Sequence, residues 1–167
     1  MAATGEGMPD PILFGPARES DLDALVSIDR GSPRAWTREA FAAEFDHTPP
    51  TLFVLRSSGD AVAFVVARFQ IPDLDIVNLA VSPNLRGRGL GRRLLASLLD
   101  QAASGGVQSV FLEVREGNEE ARRLYRSAGF EETQRRPGFY RDPVEDAILM
   151  RLEMSHETGL KGPRNAC

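Results

Sequence analysis

A single cysteine, Cys167, ends this chain of 167 residues, and His47 and His156 are the only histidines. One thiol cannot close an internal disulfide, so a reducing, cytoplasmic setting is the simplest expectation. Two distant imidazoles and one terminal thiol do not make a zinc site of ordinary spacing, and no metal is expected. Neither a Ser-His-Asp nor a Cys-His arrangement has local support. Lysine is nearly missing too: Lys161 stands alone beside 19 arginines. The longest apolar run, Ala61 to Ala67, has seven residues, far short of a membrane span. Met1 to Pro11 has no basic stretch leading into an apolar one, so no secretory signal and no membrane partner are expected. Chemistry is left to carboxylates, phenols, backbone amides or a bound cofactor.

What is present fits one soluble domain of ordinary size, with 42% hydrophobic and 26% charged residues. The net charge of −4 is unevenly spread: −6 over residues 1–85, +4 over 86–141 and −2 over 142–167. A nucleic-acid-binding protein is normally basic throughout, so this pattern argues against that class and for one local anion site. The polar, Gly/Pro-punctuated ends, 1–10 and 154–167, read as mobile tails around a single domain over 11–153.

Periodicity alternates along that domain. Ile12–Phe14 reads as a strand, and Ser20 as the cap of a helix carrying Leu22, Leu25, Val26 and Ile28. Thr37 caps a second helix with Phe41 and Phe45 on one face. Thr51–Arg56, Ala61–Phe69 and Asp75–Val81 read as three strands. Leu90, Leu94, Leu95, Leu98, Leu99 and Ala102 fall at helical spacing, ended by Gly105-Gly106. A strand (Ser109–Val114), a helix (Asn118–Ala128) and two strands (Phe130–Arg135 and Asp146–Leu152) follow. The order predicts an α/β (α+β) fold around one mixed sheet.

The most informative stretch is Arg86-Gly87-Arg88-Gly89-Leu90-Gly91-Arg92, at the start of the leucine-rich helix. Its alternate glycines let backbone amides approach a ligand closely, at a helix N-terminus that favours an anion. Arginines oppose the helix dipole here, so an anionic ligand explains them better than helix stability does. No Gly-Lys-Ser/Thr follows, which excludes a P-loop, and the glycine spacing fails the Gly-x-Gly-x-x-Gly dinucleotide pattern.

Arg86-x-x-Gly89-x-Gly91 resembles the acyl-CoA-binding loop of the Gcn5-related N-acetyltransferases (the GNAT superfamily). Asn78 to Leu95, Leu112-Glu-Val-Arg115, Asn118, Leu124-Tyr125, Gly129-Phe130 and Glu145-Asp-Ala-Ile148 are similar to the RimI type, which acetylates the N-terminal alanine of a small-subunit ribosomal protein. The resemblance spans about residues 12–152. It implies a mostly antiparallel sheet of about seven strands, helices on both faces, and a splay between the fourth and fifth strands. It also implies acetyl-CoA as cofactor, held by Leu79, Ala80, Val81, the turn Arg86 to Arg92 and Asn118.

Glu113 stands in an apolar strand, on the face opposite Val110, Leu112 and Val114. A carboxylate there is either a general base with a raised pKa or the partner of a neighbouring arginine. The resemblance makes it the base. Asn118 and Tyr125 are seven apart, two turns of one helix, and the resemblance makes Tyr125 the general acid at the sulfur. Trp36, and Phe139 and Tyr140 in an expected loop from Arg136 to Glu145, are candidates for the acceptor groove. Pro137-Gly138 departs from the subfamily's loop pattern there. The acceptor implied is a protein N-terminus; alternatives are a small amine on the same cofactor site, or a non-catalytic acyl-CoA-binding module.

Overall fold

A computed structural model describes residues 10–155, so most of both expected tails lies outside the described residues. Strands β1 (Leu13–Pro16), β2 (Leu52–Ser57), β3 (Asp60–Gln70), β4 (Asp73–Val81), β5 (Ser109–Arg115), β6 (Glu131–Arg141) and β7 (Val144–Glu153) form one sheet in the order β1-β2-β3-β4-β5-β7-β6. Every neighbouring pair is antiparallel except β4 and β5. Helices α1 (Leu22–Asp29), α2 (Arg38–Glu44), α3 (Leu90–Ser104) and α4 (Glu119–Ser127) cover it. The mixed, mostly antiparallel seven-stranded sheet is the one the resemblance implies.

Alternation along the strands splits the core in two. Leu94, Leu95 and Leu98 of α3 pack with Val65, Leu74 and Val110 on one face. On the other, Leu25 and Ile28 of α1 and Phe41 of α2 pack with Val54, Phe64 and Val66. The rings of Phe41 and Phe64 meet edge to face at 5.1 Å. Among the described residues no helix is long and apolar enough to cross a membrane.

Two expectations about local structure need correction. Ser20 does not cap α1: it lies in a 3-10 turn over Glu19–Asp21, and the device that opens the helix is Asp21. The buried Asp21 carboxylate accepts the Arg18 amide at 2.6 Å and both guanidinium nitrogens of Arg56, Nη2 at 2.6 Å. A serine hydroxyl cannot neutralise a buried arginine, which is why the acid took this place. The expected loop from Arg136 to Glu145 is instead the end of a long β6–β7 hairpin, with register irregularities at Glu132/Gln134 and Arg136/Tyr140. Gly138 (φ +61°) sits in the second, where its amide is held by the Asp146 carboxylate at 2.8 Å. The Pro-Gly pair therefore bends a strand rather than ending it.

Burial opposes ionisation of Asp21, but the Arg56 hydrogen bonds and the Arg18 amide outweigh it and hold the carboxyl below the usual range. A lowered folded pKa gives stability that is complete above the unfolded value, near 3.8, and is lost as pH falls through the folded one. Asp21→Asn is expected to flatten the acid limb of urea-unfolding stability below about pH 4. Arg56→Ala, which strands the buried carboxylate, should cost about 3 kcal/mol at pH 7 in the same assay.

Candidate active site

β4 pairs with β5 only from Asp73 opposite Ser109 to Ile76 opposite Leu112. Along its other edge β4 stays with β3 as far as Val81. Ala67 faces Ile76 and Val66 faces Asn78, so Val77 is an extra, bulged residue just where the β5 pairing stops. A bulge bends and twists its strand, and here it carries β4 away from β5. Leu79, Ala80 and Val81 thus keep β3 as a partner; because Ser82 donates its amide to Val62, alternation turns the backbone groups of Ala80 to β3 as well and those of Leu79 and Val81 to a slot on the other side. Across the slot stand Glu113, Val114 and Arg115, which pair only with Leu149, Ile148 and Ala147 of β7.

At one end of this slot lies the glycine-arginine turn. Gly87 and Gly89 take φ of +75° and +78°, and nothing lies within 4 Å of a Cβ built on either. The first intrahelical bond of α3 runs from the Arg93 amide to the Gly89 carbonyl at 3.1 Å, leaving the Leu90, Gly91 and Arg92 amides without helical acceptors. Acidic residues stand in the first turns of α1, α2 and α4 but not of α3. Arg88 and Arg92 are exposed and make no ion pair among the described residues. Arg86 folds back instead, its Nε 3.3 Å from the Val81 carbonyl, and Arg93 donates to the Ile12 carbonyl at 2.9 Å. Free amides, a positive dipole end and two unpaired guanidiniums are the donor set that a pyrophosphate requires.

The slot's wall continues into α4. A Cβ on Gly91 would lie 3.4 Å from Leu124 Cδ2 and 3.7 Å from Val81 Cγ2, so β4, α3 and α4 converge on this glycine. Tyr125, next to Leu124, is buried with its ring edge-on to Phe130 at 5.5 Å. Its phenol makes no hydrogen bond among the described residues, and burial pushes its pKa well above the ordinary value. Asn118 does not share a helical face with it. It is the N-cap of α4, φ −82° and ψ 70°, and its Oδ1 accepts the Ala121 amide at 3.1 Å. Its Nδ2 remains available as a donor on the exposed rim.

Glu113 is half-exposed, and its carboxylate accepts a hydrogen bond from Arg136 Nη1 at 2.9 Å. The structure therefore holds the arginine pair that stood as one of two readings of this residue. Pair and splay open into a cavity of about 740 Å³ on the sheet face beside α1 and α2, walled also by Asp75, Phe111, Phe139 and Tyr140. Phe139 is exposed, whereas Tyr140 is buried with the Arg115 guanidinium 4.1 Å over its ring and Arg34 at 5.5 Å. Burial, then Glu113, raises the Tyr140 phenol against the opposing arginines. Trp36 is not among the cavity walls: its ring lies 5.4 Å from Phe41, in the core under α1 and α2.

Two residues went unnoticed in the sequence. Arg136 entered only as a loop boundary, and only strand register brings it to Glu113. Asp29 ends α1, where a cation would suit the helix dipole, and that mismatch was the legible signal. Its buried carboxylate accepts the Trp36 amide at 2.7 Å and approaches Asn78 Nδ2 at 3.5 Å, leaving Oδ1 without a partner. Asp29 thereby ties the α1–α2 connection to β4 beside the bulge.

The chain matches the acetyltransferase (GNAT) family model over residues 22–130. It is 35% identical over 139 residues to the [ribosomal protein bS18]-alanine N-acetyltransferase of Escherichia coli K12, covering 81% of this chain and 93% of that protein. An uncharacterised protein of Mycobacterium leprae is 36% identical over 151 residues, 86% of this chain, which spans 41% of that relative's length. The crystal structure of the ribosomal-protein-S18-alanine N-acetyltransferase from Escherichia coli superposes with a TM-score of 0.78 at 33% identity, over 89% of this chain and 98% of that one. The chain therefore belongs to the GNAT acetyltransferase family.

Proposed function

We propose that residues 11–153 form one acetyltransferase domain that moves the acetyl group of acetyl-CoA onto the N-terminal α-amine of a protein, an alanine-starting small-subunit ribosomal protein being the acceptor. The observation that carries this reading is the junction of the slot, with its cradle, and the open cavity, at Glu113. Cofactor and acceptor then approach one point from opposite sides of the sheet. The likeness to the Escherichia coli alanine N-acetyltransferase, over nearly all of that protein, supports the acceptor class over a small amine or a silent binding module. Acetyl-CoA and such an acceptor meet in the cytoplasm, the setting expected from the single cysteine.

What acetyl-CoA supplies when bound is an activated thioester carbonyl. The Leu90, Gly91 and Arg92 amides, with Arg88 and Arg92, suit its pyrophosphate; Arg86 shapes the turn through Val81. Asn118 Nδ2 can donate to the pantetheine arm. The slot-facing amides of Leu79 and Val81 are fixed donors for a carbonyl oxygen that gains negative charge, without reorganisation during the reaction, and Ala80 between them is held on β3. Glu113 orients the acceptor amine and takes its proton, directly or through one water. An incoming ammonium competes with Arg136 for Glu113, and the displaced guanidinium nearby favours the neutral, nucleophilic amine. Tyr125 is fully protonated at neutral pH, so it serves as hydrogen-bond and proton donor to a departing thiolate, never as a base.

Thiol release with Ala-starting peptides and a panel of small amines tests the reading, and turnover of small amines alone would overturn it. Glu113→Gln should lower kcat by about 10²–10⁴ with the KM for acetyl-CoA little changed. Tyr125→Phe should likewise lower kcat while leaving acetyl-CoA affinity nearly intact, and an unchanged kcat reduces Tyr125 to packing.

At Gly89, φ of +78° excludes a β-branched side chain at a cost of about 1–2 kcal/mol. Gly89→Val should therefore weaken acetyl-CoA binding by about tenfold or more in calorimetric titration, because the strain falls on the cradle itself. Equal affinity in the variant would remove the turn from the cofactor site.

A further inference from the structure

Asp75 stands in one row across the sheet: Arg68 of β3, Asp75 of β4, Phe111 of β5 and Arg151 of β7 are successive register partners on the face that bears the cavity. Both arginines of the row are committed elsewhere. Arg68 pairs with Glu44 at 2.6 Å; Arg151 pairs with Glu153 and lies 5.3 Å over the Phe111 ring. Asp75 has no ion pair and no side-chain hydrogen bond among the described residues, yet it walls the cavity that holds Glu113. Burial, and the neighbouring Asp73, push its carboxyl above the ordinary value, as fits an acid lacking the cation it faces. The cavity is therefore polarised. Arg34 and Arg136 stand at the Glu113–Tyr140 end; beside Phe111 stand the unpaired Asp75 carboxylate and Arg151, whose charge Glu153 answers.

We infer that Asp75 forms a subsite for a cationic side chain, lysine or arginine, at the second or third residue of the acceptor. The inference rests on the protein N-terminus reading above. Phe111 lies two residues from Glu113 along β5, about 6.6 Å, and Asp75 is one strand further, about 4.8 Å across. An extended acceptor with its amine at Glu113 brings its third residue over Phe111, and a long side chain from its second residue reaches the same place. The charge of that side chain meets Asp75 beside Phe111. Arg34 and Arg136 repel the same charge from the other end, so the polarity of the cavity also sets the direction of the bound chain.

Synthetic Ala-starting peptides that carry Arg, Ser or Glu at the second or third position are compared by thiol release with the wild type, Asp75→Asn and Asp75→Lys. The ratio of kcat/KM between basic and neutral peptides is read within each enzyme, so a general loss of activity cancels. The wild type should prefer the basic peptide by about 5- to 20-fold, the range of a half-exposed charge-assisted contact. Asp75→Asn should bring the ratio near one, Asp75→Lys should invert it toward the Glu peptide, and peptide affinities from calorimetry should follow the same order. Turnover without a basic preference, or a preference that survives Asp75→Asn, overturns the subsite alone. Failure of every peptide while small amines react overturns the acceptor reading and the subsite with it.

Discussion

Everything at this site depends on where one parallel pairing stops. β4 and β5 share a ladder of only four residue pairs, to Ile76 and Leu112, and the bulged Val77 turns β4 aside at the next step. Had the register with β3 been regular, β4 would have continued along β5 and consumed the backbone groups that now line the slot. Gly91 of α3 lies close to Val81 and Leu124, which brings α4 beside the mouth of the slot. On the far side of α4, Gly117 donates its amide to Glu145 at 2.6 Å, and a Cβ there would lie 2.7 Å from that carboxylate. The loop that leads into α4 is thus tied to β7.

The arginine-rich middle of the chain has a different meaning in three dimensions than in sequence. Its +4 charge invites assignment to one anion site, but Arg115, Arg122, Arg126, Arg135 and Arg136 are all held by carboxylates of β5–β7 and α4. Arg122 alone joins Glu119, Glu132 and the Glu116 carbonyl. Such forked contacts need a planar guanidinium, which explains arginine in place of lysine at position 122. What is left for an anion at the turn is Arg88 and Arg92, two charges set on free amides. Five of the eleven arginines in this stretch hold the hairpin and α4 together, and the stabilising effect of such pairs is small individually and larger as a network.

The sheet was legible because its central strands are short apolar runs bounded by turn residues and its longest helix carries an apolar stripe; the turn was legible because arginine at a helix start contradicts the dipole. Thr37 also caps α2 as its spacing suggests, accepting the Ala40 amide at 3.1 Å. Register was not legible, and the errors follow from that. Asn118 counts as two turns from Tyr125 only if both lie inside the helix, and a side chain that caps must lie outside it. Pro137-Gly138 reads as a loop because a single strand cannot reveal that its partner tolerates a bulge. Arg136 and Asp75 gained meaning only from residues paired across the sheet, Glu113 through one register and Phe111 through another.

The state of Glu113 bears on which amine this site suits. Its carboxylate faces open cavity on one side and the Arg136 guanidinium on the other, and under the proposed function it orients an amine and receives its proton. Removing that proton costs about 1 kcal/mol at pH 7 for an α-amine of pKa near 7.8, but about 5 kcal/mol for a lysine or polyamine nitrogen near 10.4. The repulsion of Arg136 lowers both, yet it must work against desolvation of the same guanidinium once the acceptor fills the cavity. An α-amine brings most of the required activation with it, so positioning by Glu113 and Arg136 is sufficient. A lysine side chain would need several further kcal/mol of activation beyond what one displaced guanidinium supplies. The geometry around Glu113 therefore favours chain ends over side chains by its chemistry, independently of the shape of the groove.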